Sequence, residues 1–310
     1  MNEIVQRMIS TQFLLFLYMF CGVIASRIGI IQKDNRQPLV RLLMDIAMPM
    51  MVLSAFNKPT SMEQMKASIV IMTLAFVGCV INGLLGWLAF RKVPKEKRSA
   101  LLYMSMFSNA GNAGLPIISL VFGSGGVFLA SMYLIPPRIL QWTVGISFFV
   151  KNKEKNAWVK NVLLNPMVVV VYIGLILMFT GWQIPGVFAT AIDSLADMTA
   201  PLSMMLIGAT LADMDLRMLI DKEILKMSFL RLIAFPLLFT LILTPLKLDR
   251  TTMNICIILL AMPAASNTAS IAERYGGDYE FASACISVST LLSVVTVPII
   301  TWMIQRFINA

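Results

Sequence analysis

Long apolar runs separated by short polar segments fill almost the whole chain. A helix that crosses a bilayer needs about 20 mainly apolar residues, and the 310-residue sequence divides into ten such runs. We number these predicted spans 1 to 10 in chain order: 9–31, 38–56, 66–90, 99–122, 126–150, 158–180, 188–212, 224–246, 251–273 and 279–306. The pattern predicts an all-α integral membrane protein with ten transmembrane helices.

Polar residues, glycine and proline interrupt span 4 near its middle. The stretch FSNAGNAGLP places Asn109 and Asn112 at membrane depth, beside Gly114 and Pro116. Glycine and proline weaken a helix, and an unsatisfied amide in lipid costs several kcal/mol. Non-helical backbone at this depth is therefore expected only where it is buried in protein or lines a wet cavity. A kinked helix whose asparagines bond to neighbouring helices is the alternative.

A sparse internal repeat relates the two halves of the chain. Asp45 in span 2 and Asp197 in span 7, each followed four residues later by proline, are 152 residues apart. Two copies of five spans fit the chain, as residues 1–150 and 151–310. Because five is odd, the second copy must enter the membrane from the opposite side. Inverted repeats of this kind are typical of secondary transporters, in which broken helices at corresponding positions form the substrate site.

Span 9 is interrupted at the position that corresponds to the break in span 4. Its mid-span stretch MPAASNT contains Pro263, Ser266 and Asn267. If the two breaks cross, four half-helix ends meet near the bilayer centre. Their N-termini would carry partial positive charge suited to an anion. The sequence therefore predicts crossed, discontinuous spans 4 and 9 that hold a transport site.

The distribution of charge predicts the orientation of the chain. The formal net charge is +9, and 17 of the 25 basic residues fall in the loops that follow the odd-numbered spans or in the span ends next to these loops. The positive-inside rule places these loops in the cytoplasm, so both termini are expected outside, in a multi-pass protein of the cytoplasmic membrane. The basic balance is thus explained by the lipid bilayer, and no nucleic-acid partner is predicted.

Composition excludes several classes of function. Of the residues, 58% are apolar and 13% are charged, whereas soluble domains carry roughly 25% charged residues. The absence of histidine excludes His-ligated zinc and a Ser-His-Asp triad. No GxxxxGK[ST] phosphate loop is present. We therefore predict that the protein is not an enzyme and uses no metal site or cofactor; a passive channel is the stronger rival to a carrier.

Ionisable residues inside the spans are candidate functional groups, because charge in lipid is costly. Asp45 and Asp197 are candidates for ion coupling, although each could be a structural carboxylate. Arg138 lies mid-way along span 5 and precedes Gln141 by three residues, which places both on neighbouring positions of one helix face. We expect Arg138 to attract a substrate carboxylate and Gln141 to orient it. The alternative is an ion pair of Arg138 with Asp45 or with an acidic residue of span 7.

The motifs of three spans resemble those of the auxin efflux carrier family, in particular its bacterial members described as malate or malonate permeases. The resemblance rests on these residues: Asn109-x4-Gly114-Leu-Pro116, Ala261-Met-Pro263, Ala272-x2-Tyr275-Gly-Gly-Asp278 and Gln141-Trp142-Thr143. It places Asn109, Pro116 and Pro263 on the family's crossover positions, and Asn267 where bacterial relatives commonly have asparagine. It implies a crossover fold similar to that of bile-acid and sodium/proton transporters, with a scaffold part and a mobile transport part. It also implies a homodimer and a small carboxylate substrate.

We therefore predict a secondary active transporter that moves small organic anions, mono- or dicarboxylates, across the membrane by alternating access. The coupling ion is a proton or sodium, and the proton is favoured because the sequence contains no dedicated oxygen-rich cation cage. Two alternatives stay open at this point: a passive anion channel, and a sodium-coupled organic-anion symporter of the bile-acid transporter type.

Overall fold

The computed structural model describes residues 3–57, 62–149, 166–212, 220–246, 248–275 and 277–308, and the regular secondary structure of these residues is helical. The α-helices, in chain order, are α1 Glu3–Arg27, α2 Lys33–Leu42, α3 Met48–Phe56, α4 Met62–Phe90, α5 Lys95–Met106, α6 Leu115–Leu140, α7 Pro166–Thr180, α8 Gly186–Asp197, α9 Thr199–Ala212, α10 Lys222–Phe229, α11 Phe235–Leu243, α12 Arg250–Leu260, α13 Thr268–Tyr275 and α14 Tyr279–Ile308. Short π-helical segments adjoin them at Leu43–Ala47, Ala110–Gly114, Gln141–Gly145 and Leu230–Ala234, and a 3-10 turn lies at Thr244–Leu246.

Six helical stretches within the described residues are long and apolar enough to cross a membrane. They are Asn35–Phe56, Glu63–Phe90, Ala110–Gly145, Gly186–Ala212, Lys222–Leu246 and Tyr279–Met303. These stretches fall on predicted spans 2, 3, 5, 7, 8 and 10, and the third also covers the second half of span 4. The first part of predicted span 6, residues 158–165, lies outside the described residues. The all-helical, multi-pass prediction is confirmed, whereas the count of ten spans and their inverted arrangement stay predictions.

The predicted boundary between spans 4 and 5 falls at a kink within α6. Gly123 has φ 63° and ψ −158°, a conformation that is essentially limited to glycine. The chain is helical on both sides of this residue and kinks at it. A single glycine therefore separates the second half of span 4 from span 5, close to the residue-122 boundary that the sequence predicted.

The described residues form two compact units. Unit 1 contains those within Met1–Ser68, Leu115–Met132 and Leu163–Asp213, and unit 2 those within Ile69–Gly114, Tyr133–Val162 and Met214–Ala310. Each unit draws on both predicted repeats, residues 1–150 and 151–310. The two units are defined by which residues pack together, whereas the two repeats are defined by similarity along the sequence. The division into units therefore does not test the repeats, which stay a prediction.

Unit 1 is held together by close helix contacts. Helix α1 packs against α9, and the contact is made by glycine on both sides. A Cβ on Gly22 would overlap the backbone carbonyl of Met205, and a Cβ on Gly208 would overlap that of Met19. Small residues allow two membrane helices to approach this closely and gain dispersion contacts along their length. Helix α3 packs against α7 and α8 in the same unit.

Unit 2 has a buried core that includes aromatic rings from the first broken span. The ring of Tyr103 meets Phe107 edge-on at a centroid distance of 4.8 Å and Phe149 at 5.9 Å. Phe90 and Phe281 belong to the same buried cluster. Large rings in edge-to-face contact resist displacement because each fills a specific shape. This core gives the polar residues of the breaks a rigid support.

Candidate functional site

The breaks in spans 4 and 9 lie side by side in unit 2. Helix α5 ends at Met106, and the backbone is extended at Phe107, with φ −120° and ψ 129°. Helix α12 ends at Leu260, and the chain becomes helical again at Thr268. The first break is followed by the π-helical segment Ala110–Gly114. Each predicted broken span is therefore two half-helices joined by a short extended stretch.

The two extended stretches pair with each other through their backbones. Ser108 and Ala264 form an isolated antiparallel bridge, and the backbone N–H of Asn109 donates to the carbonyl oxygen of Pro263 at 2.8 Å. The Ser108 hydroxyl donates to the carbonyl oxygen of Leu259 at 2.9 Å. Broken helices leave backbone groups without intrahelical partners, and a low-polarity environment makes unpaired groups costly. The pairing supplies partners to several of these groups.

A short hydrogen-bond network links the polar side chains of the two breaks. The Ser266 hydroxyl lies 3.3 Å from Asn109 Oδ1, to which it donates, and Asn112 Nδ2 donates to the same hydroxyl at 3.0 Å. Asn267 Nδ2 donates to the Tyr103 hydroxyl at 3.1 Å. In both Asn109 and Asn267, the other end of the amide has no hydrogen-bond partner among the described residues. One end of each amide is thus held by the protein, and ligand binding by the other end stays a prediction.

Arg138 lies against the first break. Its side chain is half-buried, and a Cβ on Gly111 would lie 3.7 Å from Arg138 Nη2. Arg138 Nη1 is 3.5 Å from Gln141 Oε1, a long contact, and Gln141 is its only hydrogen-bond partner among the described residues of unit 2. Gln141 opens the π-helical segment Gln141–Gly145. The structure therefore places Arg138 next to Gly111 of the segment that follows the first break, with Gln141 beside Arg138.

Three further predicted site residues have backbone or packing roles in the structure. A Cβ on Gly114 would lie 2.6 Å from Leu259 Cδ2, so a side chain at this position would require Leu259 of α12 to shift. Pro116 lies in the first turn of α6, directly after the π-helical segment Ala110–Gly114. Pro263 accepts the backbone hydrogen bond described above. Direct contact of these residues with a substrate stays a prediction.

The two carboxylates predicted to couple ion movement lie in unit 1. Asp45 is in the π-helical segment Leu43–Ala47, and Asp197 is the last residue of α8. Both side chains are exposed. A neighbouring carboxylate of α8, Asp193, accepts a hydrogen bond from the hydroxyl of Ser54. The coupling role of Asp45 and Asp197 stays a prediction.

The chain matches the family model described as membrane transport protein over residues 8–163 and 156–301, nearly its whole length. The chain belongs to the auxin efflux carrier family of membrane transport proteins. The resemblance indicated by the motifs of spans 4, 5 and 9 is thereby confirmed.

Relatives of this family member support the same class of function. They include an uncharacterized transporter of Methanocaldococcus jannaschii, 23% identical over 94% of this chain and 97% of the relative. An uncharacterized transporter of Methanothermobacter thermautotrophicus is 24% identical over 90% of this chain and 92% of the relative. A protein of Rhizobium meliloti provisionally named a malonate transporter is 26% identical over 66% of each chain. The family and these relatives are transporters, not enzymes.

Sequence reasoning missed two residues that hydrogen-bond to the broken spans of this auxin efflux carrier family member. Tyr103 accepts the hydrogen bond of Asn267, but nothing in the sequence distinguishes it from an ordinary aromatic residue of span 4. Arg231 is 1% exposed and donates to three backbone carbonyls at the crossover. Arg231 could have been singled out from the sequence, because a charged side chain inside an apolar span is costly for span 8 as it is for Arg138 in span 5.

Proposed function

We propose that this protein is a secondary active transporter for small mono- or dicarboxylates, and that the crossing breaks of unit 2 bind the carboxylate. The observation that carries the proposal is the meeting of two side-chain amides of the first break, Asn109 and Asn112, at the Ser266 hydroxyl of the second break. The half-buried Arg138 lies against the first break. Hydrogen-bond donors of this kind, held by paired backbone, suit the oxygens of a carboxylate. The proposal extends the family assignment from transport in general to a substrate class and a site.

Electrostatics favour an anion at this position. Helix α13 begins at Thr268 and the π-helical segment Ala110–Gly114 follows the first break, so two helix N-termini begin at the crossover. Each N-terminus carries roughly +0.5 of an elementary charge. The guanidinium of Arg138 adds a full positive charge beside Gly111. A carboxylate bound here would therefore meet positive potential as well as hydrogen-bond donors.

Arg138 would hold the substrate carboxylate, and Gln141 would orient it. A guanidinium presents two parallel N–H groups that match the two oxygens of a carboxylate, whereas lysine offers a point charge. We expect Arg138→Lys to weaken the apparent affinity and Arg138→Gln to abolish transport without unfolding the protein. If Arg138→Gln unfolds the protein, and a second change at Asp45 or Asp197 restores folding and transport, Arg138 serves a structural ion pair instead.

The division into two units supports a mechanism of alternating access. Both breaks lie in unit 2, so we infer that unit 2 carries the substrate as the mobile transport part and that unit 1 forms the scaffold of a homodimer. The proposed architecture has ten spans in two inverted repeats, 1–150 and 151–310, in the cytoplasmic membrane with both termini outside. A proton is the preferred coupling ion, with Asp45 and Asp197 as its candidate carriers.

Uptake by proteoliposomes tests the substrate class and the mechanism together. Labelled mono- and dicarboxylates, with malonate first because of the name of the Rhizobium meliloti relative, are offered under imposed pH or sodium gradients. We expect saturable uptake that a pH gradient drives above the equilibrium level. Uptake that never saturates and follows no gradient would indicate a passive anion channel. Accumulation that requires sodium would indicate a sodium-coupled symporter.

Two asparagine variants test the site. Asn109→Ala and Asn267→Ala each remove an amide from one break, and we expect both to lose transport while expression and monodispersity in detergent are retained. The matched control is Asn57→Ala in unit 1, where the Asn57 side chain accepts a hydrogen bond from the Ile184 backbone N–H at 2.8 Å. If both crossover variants transport as well as the control, the crossover is structural and the substrate binds elsewhere.

A further inference from the structure

Arg231 joins the ends of the two broken helices. It lies in the π-helical segment Leu230–Ala234 and is 1% exposed. Its Nη1 donates to the carbonyl oxygen of Ser105 at 2.8 Å, its Nη2 to that of Leu260 at 3.0 Å and its Nε to that of Met262 at 3.2 Å. These three carbonyls are its only hydrogen-bond partners among the described residues. A buried guanidinium in unit 2 thus binds backbone oxygens from both broken spans.

The charges at this point balance without a carboxylate. Helix α5 ends at Met106 and helix α12 ends at Leu260, so Arg231 bonds to the C-terminal turn of each. A helix C-terminus carries roughly −0.5 of an elementary charge. Two such ends sum to about −1, and an arginine in a protein keeps its full positive charge. The guanidinium and the two helix ends therefore compensate each other inside the protein.

Carbonyl oxygens at the ends of broken helices are also the ligands that sodium takes in many transporters. In this chain three such oxygens are occupied by the fork of donors on Arg231. We infer that Arg231 is a built-in cation of the crossover, which fills the place of an alkali ion and makes substrate binding independent of sodium. The inference rests on the proposed carboxylate site, and it selects among the coupling ions left open above.

The same arrangement explains how the site keeps its preference for anions. The negative helix ends are neutralised by Arg231 from one side. The positive N-terminus of α13 and the guanidinium of Arg138 remain uncompensated by any carboxylate that hydrogen-bonds to them among the described residues of unit 2. A bound carboxylate is therefore attracted by the N-terminus of α13 and by Arg138, and it is not repelled by the C-terminal ends of α5 and α12, whose charge Arg231 neutralises. Loss of the Arg231 charge would reverse this balance.

The test measures thermal unfolding of the purified full-length protein in sodium, potassium or choline chloride at equal ionic strength. We expect the wild-type midpoint to be the same in all three salts. Arg231→Met removes the charge but keeps an unbranched side chain, and we expect its midpoint to fall in choline and to rise by about 3 °C or more when sodium replaces choline. Arg231→Lys keeps the charge, so its midpoint should be lower than that of wild type yet independent of the cation. Arg91→Met, which removes an exposed positive charge at the end of α4, is the control and should show no cation effect.

Three outcomes would overturn the inference. The first is a wild-type unfolding midpoint that depends on sodium. The others are an Arg231→Met midpoint that is the same in all three salts and an Arg231→Lys midpoint that differs between them. If Arg231→Met cannot be purified as a folded protein, the wild-type and Arg231→Lys measurements still decide. Carboxylate uptake in the same three salts is measured alongside, and wild-type uptake should not require sodium. A wild-type protein that transports no carboxylate, but whose stability behaves as expected, would contradict the proposed function and leave the role of Arg231 intact.

Discussion

Replacing either of two glycines of one π-helical segment by alanine should change the stability of the fold in opposite directions. Gly111 and Gly114 both belong to Ala110–Gly114, so Gly→Ala gives each the same gain in helix propensity, up to about 1 kcal/mol. A Cβ on Gly111 meets nothing closer than Arg138 Nη2 at 3.7 Å, an ordinary contact. We expect Gly111→Ala to keep or slightly raise the stability of the fold.

Gly114→Ala should destabilise the crossover. Its Cβ would lie 2.6 Å from Leu259 Cδ2 and 3.2 Å from Met262 Cγ, whereas carbon atoms in good contact are about 3.5–4.0 Å apart. Leu259 and Met262 are both 0% exposed, so neither can move into solvent to make room. Overpacking of this kind costs about 1–3 kcal/mol.

Thermal unfolding in detergent compares the two glycine variants directly. At roughly 2–4 °C per kcal/mol for a large domain, Gly114→Ala should melt roughly 2–12 °C below Gly111→Ala. Transport by Gly114→Ala should fall as well, because the added methyl group forces the two breaks apart. Equal midpoints for the two variants would refute the reasoning, since they would show that a methyl group on Gly114 causes no overpacking against Leu259 and Met262.

Three other consequences can be measured. Gly22→Ala should destabilise unit 1 by about 2 kcal/mol or more, because α1 must move away from α9, while Gly186→Ala, in open space, should leave the melting temperature unchanged. Tyr103→Phe keeps the aromatic packing but removes the hydroxyl that holds the asparagine of the second break, so we expect the fold to persist and substrate affinity to fall up to about tenfold. Single cysteines near position 124 and near the C-terminus should react with an impermeant maleimide from outside, and one at position 155, which lies outside the described residues, should not; labelling of position 155 from outside would overturn the proposed orientation.

The lengths and breaks of the helices follow from local physical constraints. Bilayer thickness fixes how many apolar residues a span needs, so the ends of span 3, at 66 and 90, lie close to those of α4, Met62–Phe90. The break in span 4 could be predicted because glycine, proline and amide side chains each oppose a continuous helix in lipid. The polar residues that the sequence singled out in spans 4, 5 and 9 are also those that gather in unit 2.

Partners that are distant in sequence could not be predicted. Ser108 pairs with Ala264 across more than 150 residues, and no periodicity within one helix specifies which other helix it meets. The same reason hides the bond from Asn267 to Tyr103. Arg231 was visible as an intramembrane charge, but its partners are backbone carbonyls, which every residue carries. Sequence patterns identify unusual residues, whereas packing decides what each one touches.

The central claim is that the paired breaks of unit 2 bind the substrate carboxylate, and equilibrium binding tests it most directly. The carboxylate with the highest uptake is labelled and titrated against purified wild-type, Asn109→Ala and Asn57→Ala proteins. A hydrogen bond to a charged group contributes about 1.5–3 kcal/mol, which corresponds to roughly 10- to 100-fold in affinity. We predict saturable binding by wild type and Asn57→Ala, and binding at least about tenfold weaker by Asn109→Ala. An Asn109→Ala protein that binds the carboxylate as tightly as wild type would contradict the account.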